Sequence, residues 1–249
     1  MKRILVILLL ALSLPAYAQL AAIAGAMYVP PAAGVSLPTT NLWGDYNAAL
    51  GVTQSANRVS SWANQSTGSG SAAVQATGGN QPLWDGTSKI TFTGSRTDKL
   101  VITGALSTDY TIYAVVANTI STNGDGAFQI ADDNGNGTNL YAFVTRSSGL
   151  NNWKIFTATG SISTSTSLTN GTHYMLKVKV NGASPNSYAT VNGVTTTGSL
   201  GTTSTATNLT IGYLGSNASS FVLERLIIYR GAHNESQVAS YLTSIYGVP

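Results

Sequence analysis

From Asn41 to Arg230 the chain is a succession of short runs rich in β-branched and aromatic residues, each stopped by Gly, Asn or a Ser/Thr cluster. That punctuation constrains the fold more than any other feature, because it predicts strands and turns rather than helices. Tyr110–Thr119, "YTIYAVVANT", is nearly continuous, as expected of a strand buried on both faces in the middle of a sheet. "THYMLKVKVNG" (172–182) alternates: Tyr174, Leu176, Val178 and Val180 face one way, Lys177 and Lys179 the other. Asn181-Gly182 marks a turn, and "SYATVNG" (187–193) follows as a partner strand. "KITFTG" (89–94), "NLTIGYLG" (208–215) and "FVLERLIIYR" (221–230) add further strands. One helix is expected, at the end. Asn234 is its N-cap, with Glu235 in the first turn and Gln237 three residues after the cap. Val238, Tyr241, Leu242 and Ile245 form an apolar stripe, and Gly247 is the C′ residue. Strands and helices do not alternate, so the predicted class is an all-β antiparallel sandwich, or jelly roll, with one short C-terminal α-helix.

The chain ends share sequence features with known domains. "LWGDYNAALGVTQSANRVSSWANQSTGSGSAAVQATGGNQPLW" (42–84) has a Trp-containing strand with Asp and Ala, a Gly-Val-Thr, a Val59/Trp62/Asn64/Ser66 segment and an "NQP" stretch before a strand. "LERLIIYRGAHNESQVASYLTSIYGVP" (223–249) has a strand with a terminal aromatic, a short loop, a helix with Tyr241-Leu242 and a final Tyr-Gly. Together they resemble bacterial and phage domains of the laminin-G-like, concanavalin A-like lectin/glucanase superfamily. The resemblance covers about 41–249 and implies two antiparallel sheets packed face to face, with Trp43, Trp62 and Phe92 in the core. It implies no single activity. The glucanase branch uses an E-x-D-x-x-E strand, whereas the only glutamates here, Glu224 and Glu235, lie outside such a motif.

Other features bound the function. No cysteine is present, which removes disulfides, thiol catalysis and Cys-ligated zinc. Lys2 and Arg3 form a positive n-region, Ile4–Leu14 an apolar h-region and Ala16-Tyr17-Ala18 a cleavage site, so residues 1–18 read as a signal peptide. The apolar run is about half of the roughly 20 residues a span needs, so no membrane span is expected in the mature chain. Residues 19–40 read as a linker or N-terminal arm, and 41–249 as one domain. The expected destination is periplasmic, extracellular or surface-associated. Without the leader, 10 of the 12 basic residues remain against 9 acidic ones, with no basic cluster for a nucleic acid.

Within "ADDNGNGTNL" (131–140), Asp132, Asn134 and Asn136 fit the start of a calcium loop, although Phe143 stands where that loop needs a bidentate Glu. The same residues also serve an ordinary hairpin loop. Trp153 beside Asn151 and Asn152, with Tyr141 and Trp84, are candidate platforms and hydrogen-bonding partners for sugar rings; the alternative for each aromatic is core packing. Residues 63–83, between Trp62 and Trp84, read as a surface excursion. His173 and His233 read as structural, and no nucleophile elbow, P-loop or dinucleotide fingerprint occurs. The function these observations favour is a non-catalytic binding or adhesion module for glycans on a cell or particle surface. The alternatives are a structural subunit of an extracellular or virion assembly and a glycan-cleaving enzyme with Glu224 as its best acid.

Overall fold

The computed structural model describes residues 35–93, 97–104, 106, 109–119, 126–132, 140–146, 152–157, 160–200, 208–212 and 220–249, with 118, 126–129, 131, 132 and 140–146 described by backbone alone. They form an antiparallel β-sandwich with a single α-helix.

The first sheet runs, in spatial order, through β1 (Leu42–Asn47), β17 (Phe221–Arg230), β8 (Tyr110–Asn118), β13 (His173–Val180), β14 (Tyr188–Val191) and β15 (Val194–Thr197). The second runs through β2 (Val52–Ser55), β3 (Arg58–Trp62), β4 (Ala73–Val74), β7 (Lys99–Thr103), β16 (Asn208–Gly212), β9 (Gly126–Asp132), β10 (Leu140–Arg146), β11 (Trp153–Thr157) and β12 (Gly160–Ser163). Two short strands, β5 (Leu83–Trp84) and β6 (Ile90–Phe92), join the sheets at a corner by pairing with β3 and β17. The alternation read in 172–182 holds: Tyr174, Leu176, Val178 and Val180 are buried, and Lys177 and Lys179 lie on the opposite face. Its hairpin partner is β14, as expected.

Aromatic pairs fill the core. Tyr46 of β1 meets Trp62 of β3 at 5.6 Å, Trp153 of β11 meets Tyr174 of β13 edge-on at 5.5 Å, and Phe92 stacks on Phe221 at 4.5 Å. Trp43, Trp62 and Phe92 are buried, as the resemblance implied.

The helix, α1 (Glu235–Tyr246), lies on the outer face of the first sheet. Its Val238, Tyr241 and Leu242 bury against Tyr113, Val115, Met175, Ile227 and Tyr229. Covering that face makes β8 buried on both sides, which is why its sequence is nearly continuous. The Asn234 side chain caps the Gln237 N–H at 3.1 Å, and Gly247 ends the helix at φ 64°. The Gln237 side chain reaches Ser36 O at 2.8 Å. That bond ties residues 35–40, read from sequence as the end of a linker, to the helix. Tyr229 Oη donates to Pro38 O, and Val35 and Leu37 pack on the same apolar cluster.

Candidate functional site

β1 is built around a bulge. Leu42 pairs with Tyr229 and Gly44 with Ile228, leaving Trp43 as the extra residue. Trp43 and Tyr46 therefore both enter the core, while Leu42 and Asp45 turn to the helix side. β17 has a matching irregularity: Leu223 pairs with Val116 and Arg225 with Val115, so Glu224 is the extra residue and Arg225 joins the helix face. The two bulges bring Asp45 and Arg225 together. Arg225 Nη2 donates to Asp45 Oδ2 at 2.7 Å and to Tyr241 Oη at 3.1 Å, and the guanidinium lies 5.4 Å from the Tyr241 ring centre. Both side chains are more than nine-tenths buried. Burial pushes the Asp45 carboxyl up and Arg225 pulls it back; burial opposes the Arg225 charge, but Asp45 holds the guanidinium protonated. Asp45 Oδ1 and Arg225 Nε have no hydrogen-bond partner among the described residues.

The free edge of β1 is covered by the segment after Trp62. Asn64 Oδ1 accepts the Asp45 N–H at 2.9 Å, Gln65 N–H donates to Asp45 O at 2.7 Å, and Gly70 N–H donates to Trp43 O at 2.9 Å. Gly68 is required here, because a Cβ would sit 2.3 Å from Leu42 O and 2.4 Å from Trp43 O. Within the stretch read as a surface excursion, Asn64–Gly70 is thus a close-fitting edge cover. Its Gln65, Ser66 and Thr67 form one wall of a groove of about 410 Å³; Asp45 and Tyr241 lie along it, and Val35–Leu37, Thr39 and Leu42 form the other wall.

Two further charged clusters share the outer face. Glu224 Oε1 lies 3.1 Å from His173 Nδ1 and 3.7 Å from Lys89 Nζ. Burial raises the Glu224 carboxyl, while burial and Lys89 lower His173. The nearby Asp85 carboxylate is committed to its own turn, where it accepts the N–H groups of Thr87, Ser88 and Lys89 and the Thr87 hydroxyl. At the other end, Glu235 accepts from Lys177 and Lys179, each at 3.1 Å, and from Tyr188 Oη. Beside it His233 stacks on Tyr229 at 3.9 Å and sits 2.8 Å from Tyr113 Oη.

The residues singled out from sequence are not brought into one site. Trp153 is fully buried between the sheets, which removes it as a solvent-facing sugar platform; its indole was needed to fill the core. Trp84 is half-buried against the core and donates its indole N–H to Ala48 O at 3.0 Å, so it anchors the corner. The Asn152 amide donates to Thr164 O. Tyr141 and Asp132 lie in β10 and β9, described by backbone only, and Asn151, Asn134 and Asn136 lie outside the described residues. Among the described residues no group of three or more His, Cys, Asp or Glu is arranged to hold a metal ion, and no helix is long and apolar enough to cross a membrane. Sequence reasoning missed Asp45, Arg225 and the Gln65–Thr67 wall. The available signal was the lone Asp in "LWGDYN" and Arg225 inside "FVLERLIIYR", opposite charges within two strands rich in apolar residues.

No protein-family model matches the chain, and no curated protein does. Solved structures do share its fold. A sialidase of Trypanosoma rangeli in complex with sialic acid matches 90% of this chain with a TM-score of 0.58 at 13% identity. The match takes in 36% of the sialidase, so this chain spans about a third of that protein. Domain 4 of AbnA, an extracellular arabinanase from Geobacillus stearothermophilus, in complex with arabinotriose, matches 82% of this chain and 98% of its own length, with a TM-score of 0.52 at 15% identity. The binding domain of botulinum neurotoxin DC in complex with SialylT matches 83% of this chain and 52% of its own, with a TM-score of 0.52 at 11% identity. At these identities the likeness establishes a shared β-sandwich fold.

Proposed function

We propose that this chain is an exported, non-catalytic carbohydrate-binding module on a laminin-G-like jelly roll, acting at a cell or particle surface. One observation carries the reading. Almost the entire length of domain 4 of the arabinanase, a domain seen with arabinotriose, superimposes on most of this chain. The warrant is therefore analogy of fold. The carboxylates support the non-catalytic part. Asp45 is paired with Arg225, Asp85 and Asp98 hold turns, and Glu235 is saturated by three donors. Apart from Asp109, no described aspartate or glutamate side chain is left to flank a glycosidic bond together with Glu224, which lies beside His173.

The test is a glycan array probed with the chain from Gln19 onward, followed by incubation of every bound glycan with the protein. Binding to a defined glycan class with no change in the glycan's mass is expected. An array blank for every sugar overturns the binding reading, and a cleaved ligand overturns the non-catalytic one.

A further inference from the structure

We infer that the groove between the Gln65–Thr67 wall and the Val35–Thr39 strap binds one neutral sugar residue at its polyol face. This names a site for the glycan-binding reading and rests on it for the class of ligand. The argument starts from charge. Asp45 is the carboxylate of the groove, and Arg225 neutralises it from behind at 2.7 Å. The remaining lining is uncharged, so neither a cation nor an anion finds a net opposite charge. The polar groups decide the rest. Ser36, Thr39 and Thr67 are exposed in the lining, so their hydroxyls are open to a ligand from solvent. Asp45 keeps one oxygen without a hydrogen-bond partner inside the protein. Exposed hydroxyls in the same lining as a part-paired carboxylate match a ligand that presents several O–H groups at close spacing.

Val35, Leu37 and Leu42 supply the complementary apolar wall, suited to the C–H face of a sugar ring. The volume of about 410 Å³ lies at the small end of the roughly 300–1,000 Å³ range of ligand pockets, which suits a sugar residue rather than a long chain. The walls are also held in place. Gly68 presses on the β1 carbonyls, and Gln237 and Tyr229 bond the strap at Ser36 O and Pro38 O. A rigid site loses little entropy on binding.

The experiment is a titration of the uniformly labelled chain with glucose, galactose, arabinose, N-acetylglucosamine and, as the anionic comparison, sialic acid, read by amide chemical shifts. A neutral sugar is expected to shift the amides of Asp45, Gln65, Ser66, Thr67 and Tyr241. Thr67→Trp, and separately Thr39→Trp, fill the rim from exposed positions and are expected to weaken that response at least tenfold with an unchanged melting temperature. Shifts only at other residues, no shift with any sugar, a response to sialic acid alone, or full binding by both folded variants each overturn the site. A positive glycan array with unmoved groove amides leaves the module reading standing and removes this groove. Groove shifts with a blank array keep the groove as a sugar site and remove only the role at a glycan-bearing surface.

Discussion

Arg225 and Asp45 show how one pair of residues ties the chain ends together. They lie 180 positions apart, yet the ion pair sits between β1, β17 and the helix with almost no solvent contact. Removing one partner leaves a buried charge uncompensated, so Arg225→Met is expected to destabilise by about 3–5 kcal/mol. The measurement is the urea midpoint at constant m-value, and a midpoint like the parent's would show that the pair is not structural. Adding Asp45→Asn should recover part of the loss, since the two residues act as a unit. Neither bulge that makes this pair was visible beforehand. Strict alternation would place Arg225 on the Leu223 face and Asp45 on the Trp43 face, and a single extra residue in each strand reverses that. The glycines of 68–70 were equally opaque. Composition suggested freedom, whereas Gly68 is held because a carbonyl leaves no room for a Cβ.

At the scale of the element, the helix was the most legible feature. Its cap, apolar stripe and terminal glycine are all local in sequence, and each stands where the spacing put it. What its first turn holds was not legible. Glu235 serves as an acceptor for Lys177 and Lys179 of β13 and Tyr188 of β14, fastening the helix start to two strands. Burial alone would raise its carboxyl, but the hydrogen bonds from Tyr188, Lys179 and Lys177 outweigh burial and hold it at about 2, against an ordinary 4.5. The unfolded chain therefore binds the proton first as pH falls. The stability due to Glu235 is complete above about 4.5 and is lost as pH drops toward 2. Glu235→Gln should lower stability near neutrality by on the order of 1–2 kcal/mol, a discounted figure because part of the side chain meets water, and should flatten the decline below about pH 4.5. Denaturant midpoints for both proteins across that interval check it, and parallel curves would remove the ion cluster as the cause.

At the scale of the molecule, the helix is the cover of one face of the sandwich. Tyr113, Val115, Met175, Ile227 and Tyr229 lie beneath it. A chain ending at Ala232 would expose that contiguous apolar surface, and it is expected to bind a hydrophobic dye and self-associate instead of melting as a cooperative monomer. Dye fluorescence and light scattering decide it; a monomeric, cooperative truncation would mean the sheets are stable uncovered. The sandwich itself followed from the strand pattern, and the burial of Trp43, Trp62 and Phe92 from the resemblance at the chain ends. The candidate site did not follow. Trp153 and Trp84 were weighed as ligand platforms, and the fold spends both on packing. By itself, the order of residues determined what depends on near neighbours: which runs are strands, which faces are apolar, where the helix starts and stops. The tertiary structure alone decided which strands lie side by side, where the two bulges fall, and that a glycine-rich segment closes over β1 to leave a groove beside Asp45. Those outcomes depend on contacts between distant parts of the chain, and a side chain's partner across a sheet or a close approach to a carbonyl leaves no periodic mark in the sequence.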